Sequence, residues 1–112
     1  MTAVNLSRQL LLEEPQRLAD GAGGFSVVWV TLGTLWAEVL PGSGREAAGE
    51  EVVLATVPYR ITVRGAVVGS TARPKAEQRF RDGARVFTIL AVTERDRAGH
   101  HLICFAREEV PA

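Results

Sequence analysis

Between Asp20 and Gly99 the chain is cut into short runs by glycine, proline and aspartate, and no run between the cuts sustains a helical period. The runs are rich in valine, threonine and aromatic residues, which suit a pleated, half-buried surface. The clearest is "VPYRITVR", where Val57, Tyr59, Ile61 and Val63 alternate with Pro58, Arg60, Thr62 and Arg64. That alternation describes an antiparallel strand with one wet face. The rhythm as a whole predicts an all-β fold, a small antiparallel β-barrel of about six to seven strands. A length of 112 residues allows one domain, spanning 1–112, with a single core of modest size.

The punctuation also predicts where strands bend. Leu6 to Glu14 puts Leu6, Leu10 and Leu12 on one face, with Arg8 and Glu14 in the same register, and Pro15 is expected to stop or bend it. The stretch "DGAGGFSVVW", Asp20 to Trp29, might suggest a phosphate cradle. A cradle, however, delivers glycine-rich backbone to a helix N-terminus, and here a strand follows, with neither G-x-G-x-x-G spacing nor a closing Lys-Ser or Lys-Thr. The glycines are therefore read as supplying positive φ for a turn between the first two strands.

Gly33, inside "VTLGTLWAEVL", marks a bulge or sharp bend, with Trp29 and Trp36 on opposite sides of it. "PGSGRE" from Pro41 is a loop, and "EVVLATVPYRITVR" is the longest strand-like run, with Pro58 arguing for an edge or a bulge. Gly65 to Gln78 is too long for a tight hairpin and is expected to protrude as a functional arm. Asp82-Gly83 signals a two-residue hairpin, and a last turn at "ERDRAG" leads into the closing strand "HHLICFARE".

Thirteen basic and thirteen acidic side chains cancel, which excludes the global positive charge of a general duplex binder. The only cysteine, Cys104, excludes an internal disulfide and a multi-cysteine zinc site, and points to synthesis in a reducing cytosol. Leu10 to Leu12 is far too short a run for a signal sequence or a membrane span, so no membrane partner is expected.

No catalytic, metal or cofactor site emerges from the residue types. His100 and Cys104 share one strand face while His101 takes the other, short of a tetrahedral ligand set. The adjacent pairs Glu13/Glu14, Glu50/Glu51 and Glu108/Glu109 splay apart on an extended chain and read as solvated charge. The segment Arg73 to Arg85 is different, holding Arg73, Lys75, Arg79, Arg81 and Arg85 against only Glu77 and Asp82. It is either a basic surface for a phosphate backbone or an acidic partner, or a hairpin whose arginines guard its edges against aggregation.

Two strands are apolar on both faces. Val86, Leu90 and Val92 oppose Phe87, Ile89 and Ala91, and Leu102 and Cys104 oppose Ile103 and Phe105. A one-sided sheet would leave such strands greasy in water. The cover is the far wall of a closed barrel with the first segment or a loop, or else a neighbouring subunit.

Taken in order, "RQLLLEEP", "DGAGGFSVVWVTLGTLWAEVLPGSGRE", "VPYRITVR", "FRDGARVFTILAV" and "HLICFAREE" resemble the phage head-tail joining family, also called head-tail adaptor or head-closure (stopper) proteins, including those of gene transfer agents. The likeness runs from about Leu6 to Glu109 and departs in the middle arm, Gly65 to Gln78.

It implies a structural virion protein without catalysis or cofactor. Made in the cytoplasm, such a protein forms a homo-oligomeric ring in multiples of six, six or twelve copies, that retains packaged double-stranded DNA in the channel. Its implied partners are a portal or adaptor protein on the head side and a tail terminator or tail tube protein on the other. On that reading Tyr59, Val86, Leu90, Ile103 and Phe105 are subunit-interface candidates, and Arg73, Lys75, Arg79 and Arg81 are candidates for contacts to the next ring or to DNA in the channel. The alternative is a monomeric nucleic-acid-binding barrel of the OB type, with salt-sensitive binding to free oligonucleotides.

Overall fold

A computed structural model describes residues 3–42 and 56–109. The strands are β1 (Arg8–Ala19), β2 (Phe25–Pro41), β3 (Thr56–Arg64), β4 (Arg79–Asp82), β5 (Arg85–Glu94) and β6 (His101–Glu109). All neighbouring strands are antiparallel, and the order β1-β2-β3-β6-β5-β4 closes on itself as a barrel. The all-β expectation is thus met, with six strands among the described residues.

Closure follows from the alternation in the sequence. Leu10 and Leu12 of β1, Ala37 of β2, Ile61 and Val63 of β3, Phe80 of β4, Phe87 and Ile89 of β5, and Leu102, Cys104 and Ala106 of β6 all point inward and are buried. Each leucine- or phenylalanine-sized side chain taken from water contributes about 1.5–3 kcal/mol, so eleven inward residues suffice to define one core.

Two bulges re-aim the outer wall. Leu12 faces Gly33 while Glu13 faces Thr31, which leaves Leu32 as an extra residue in β2, where the glycine marks the break. In β5, Ile89 faces Ala106 and Ala91 faces Phe105, leaving Leu90 unpaired and exposed. This second bulge corrects the simple alternation of the sequence: Val92 crosses to the core side with Phe87 and Ile89, and Ala91 turns outward.

Pro15 neither stops nor ends β1, which continues to Ala19 and pairs with β2 down to Phe25. Beyond Glu13 on one side and Ala37 on the other, however, β1 and β2 have only each other among the described residues. A two-stranded ribbon therefore leaves the barrel, and the molecule measures 54 × 35 × 24 Å. Its turn is built as the glycines suggest. Gly21 and Gly23 take φ of 81° and 86°, and the amides of Ala22 and Gly24 both donate to Asp20 Oδ1. Those amides hold the Asp20 carboxyl below its ordinary range.

Pro58 sits in a strand paired on both sides, not at an edge. Its carbonyl accepts from Gly42 N, so the face lacking an N–H is turned to the end of β2, where the ladder is finishing. The β4–β5 turn is a two-residue hairpin, with Asp82 opposite Arg85 and Gly83 at φ 60° in its first central position. Residues 43–46 of the loop and 51–55 of the long run lie outside the described residues, as do Glu50 and Glu51.

The Gly65 to Gln78 connection is held at both ends and open between them. Val67 and Val68 are 79% and 78% exposed, whereas Pro74 and Gln78 are buried. Glu77 N donates to Ile89 O, Ile89 N donates to Gln78 O, and Arg73 donates to Ala66 O. The connection thus lies at the barrel end from which the ribbon leaves, with residues 67–72 and 75–77 exposed to solvent.

Candidate functional site

The basic segment folds against β1, and that decides which of its charges remain available. β4 lies beside β1 in a register that puts Arg79 opposite Glu13 and Arg81 opposite Leu11. Arg79 Nε donates to Glu13 Oε1 at 2.6 Å, and Arg81 Nε lies 3.3 Å from both carboxylate oxygens. Glu13 is only 7% exposed. The guanidinium of Arg79 also covers the Trp29 ring at 3.9 Å, so the first tryptophan stacks on the arginine that its own hairpin partner strand neutralises.

Glu13 is therefore a buried counter-ion and not solvated charge. Lys75 lies 3.8 Å from Glu14 and is largely exposed, and Arg73 turns back onto its own loop. Of the four basic candidates, Lys75 is the one presented most openly to a partner, and Arg79 and Arg81 are held in the wall.

At the other end of the barrel a second network locks the β4–β5 hairpin to β6. Arg85 forks onto Glu108, Nε to Oε2 at 2.6 Å and Nη2 to Oε1 at 3.0 Å, and also donates to the Tyr59 hydroxyl. Its guanidinium lies 5.0 Å from the Phe87 ring centroid, and Tyr59 meets Phe87 edge to face at 5.2 Å. Arg85 holds the Glu108 carboxyl below its ordinary range, and Glu108 in turn pushes Arg85 up. Tyr59 therefore packs against the core, while the other interface candidates take the outer wall.

On that wall the register makes a row. Leu40 pairs with Arg60, Arg60 with Phe105, and Phe105 with Ala91 beside the bulged Leu90. Leu40, Phe105 and Leu90 are all exposed. Ile103, two residues along β6, is half-buried, as is Val86 near the start of β5. The sequence had marked Leu90, Ile103 and Phe105, but not Leu40, whose place in the row depends on a cross-strand register that no local pattern reveals.

Nothing in these networks is arranged for catalysis. Burial pushes the Cys104 thiol up to about 12, and His100 pairs with Asp96 in the last turn at 3.5 Å. Among the described residues no three of His, Cys, Asp and Glu are grouped to hold a metal. Nor, among the described residues, is any helix long and apolar enough to cross a membrane.

Similar proteins agree with this geometry. A chain in the virion of a native gene transfer agent particle is 60% identical, with both chains covered over 100% of their length and a TM-score of 0.78. A protein of Shigella flexneri 2a, known from its solution structure, is 26% identical over 96% of each chain, with a TM-score of 0.68. No curated protein matches. The family of phage head completion proteins matches residues 1–109, so the barrel, its ribbon and its pinned connection all fall within one family pattern. This chain belongs to the phage head completion protein family.

Proposed function

We propose that this chain is a structural virion component of a phage-like particle. It is made in the cytoplasm and then built into the head-tail connector as a stopper ring that closes the filled head and joins it to the tail. The observation that carries the reading is the outer wall. A closed barrel has no further use for Leu40, Phe105 and Leu90 on its outside, and exposed apolar side chains from β2, β6 and β5, with Arg60 of β3 between them, are what a neighbouring copy would cover.

Family membership and the 60% identity to a chain of a gene transfer agent virion support the particle setting. Val86 and Ile103 extend the contact along the wall, and Tyr59 supports it from beneath. The partners are further copies in a ring of six or twelve, a portal or adaptor protein above, a tail terminator or tail tube protein below, and double-stranded DNA in the channel. The turn at Val67 and Val68 reaches the adjoining ring, with Lys75 at its base facing phosphate, Arg73 bracing the loop through the Ala66 carbonyl, and Arg79 and Arg81 stiffening the wall behind them. With most of its basic segment spent on Glu13 and Glu14, the barrel has no observation in favour of an OB-like single-strand binder.

The test is a deletion of residues 66–72 in the particle-producing host, followed by imaging of the particles. The expected result is a folded chain and filled heads without tails. A normal yield of tailed particles would remove the joining role from this connection.

A further inference from the structure

The ribbon that leaves the barrel has two edges of opposite character. β1 contributes Glu14, Pro15 and Arg17, the proline and charge with which exposed edges are ordinarily protected against pairing. β2 contributes Phe25 to Ala37 without one charged residue or proline. Among the described residues, its side away from β1 meets no strand until Ala37 pairs with Val63. At the tip Phe25 is 61% exposed, with Val27 open on the same face, Leu18 open on the other, and Arg17 stacked 4.7 Å from the Phe25 ring. Asp20 in the turn supplies a fixed negative charge.

Near the barrel end of that unguarded edge is a groove of about 460 Å³ lined by Leu6, Thr34, Leu35, Trp36 and Arg64. Trp36 is 53% exposed. The groove is apolar with one cation at its side; the tip is apolar with one anion. Phe25 and Trp36 are eleven positions apart on a single extended strand, roughly 36 Å at the usual rise, so a tip cannot reach the groove of its own chain.

We propose that each hairpin tip seats Phe25 and Val27, which share one face of the ribbon, in the Leu6–Trp36 groove of the next copy of this chain, with Asp20 facing Arg64. Tip and groove are different patches, so the contact is head-to-tail and propagates around a ring. An aromatic side chain removes about 150–250 Å² from water when buried, which makes Phe25 the anchor of the contact. The inference rests on the ring reading above, but uses a surface separate from the Leu40–Phe105–Leu90 row.

The test joins Ala19→Cys, opposite Phe25 on the same face of the tip, with Thr34→Cys in the groove lining, in one chain, with each single variant and the unmodified chain beside it, all incorporated into particles. Cys104 is buried and does not compete. Oxidised particles of the paired variant should give a ladder of covalent multimers on a non-reducing gel holding most of the chain, while the single variants run as monomer. Incorporation without a ladder overturns the hairpin contact and leaves the ring reading standing; absence of the unmodified chain from particles overturns both.

Phe25→Asp provides a second measurement independent of thiol geometry. It should leave the thermal midpoint unchanged and cut incorporation at least tenfold. Unchanged incorporation overturns the contact.

Discussion

At the scale of single residues, close approach and charge pairing set the sensitive positions. Gly65 is fixed by space: a Cβ there would lie 1.9 Å from the carbonyl oxygen of Gly99, and Gly65 N donates to His100 O at 2.7 Å. The obstacle is backbone, so Gly65→Ala forces β3 and the last turn apart. It is expected to cost about 1–3 kcal/mol, read from the shift in a chemical denaturation midpoint.

Glu108 gives a pH dependence of known sign. Its carboxyl is held down by Arg85 in the fold, whereas the unfolded chain takes up a proton near the ordinary glutamate value of about 4.3. The stabilisation is complete above that value and is lost as pH falls through the lower folded value. Arg85→Gln should therefore flatten the fall in stability below about pH 4.3, measured by denaturation midpoints across the acid range.

At the scale of elements, the informative join is between β1 and β4, the shortest strand in the barrel. Only three residue pairs connect them, and one is Glu13 opposite Arg79. Glu13 is nearly buried and serves two guanidiniums, so its removal leaves two charges in the wall without a counter-ion. Glu13→Ala is expected to destabilise by about 3 kcal/mol or more. Asp82→Ala, which opens the half-exposed Arg8–Asp82 pair at the other end of the same join, should cost no more than about 1 kcal/mol. Calorimetric unfolding of the two variants side by side checks the ranking. The contrast also explains why the segment Arg73 to Arg85 reads as basic in one dimension but is largely neutralised in three. Glu13 and Glu14 sit more than sixty residues before their partners along the chain, and Glu108, the partner of Arg85, sits 23 residues after Arg85.

At the scale of the whole molecule, the barrel is self-sufficient and its surplus apolar surface lies outside. Phe80 and Phe87 fill the interior, and replacing a core phenylalanine would threaten the fold itself. Leu90→Asp combined with Phe105→Asp changes only exposed positions. That variant is expected to stay folded, with a thermal midpoint close to that of the unmodified chain, but to be absent from rings and particles, as read by sedimentation and by particle composition. A ring that survives both substitutions would move the subunit contact away from this wall.

The strands, their turns and the all-β character were legible in the sequence, because side-chain alternation and turn chemistry are local. The Asp20 turn, the break at Gly33 and the hairpin at Gly83 needed no tertiary information. Family membership was legible as well, in the order of those same runs. The counter-ion role of Glu13, the inward place of Tyr59 and the switch of Val92 to the core were decided only by the fold. Each depends on which strand lies beside which and in what register, and a single extra residue, Leu90, shifts that register without leaving a local signal of its own.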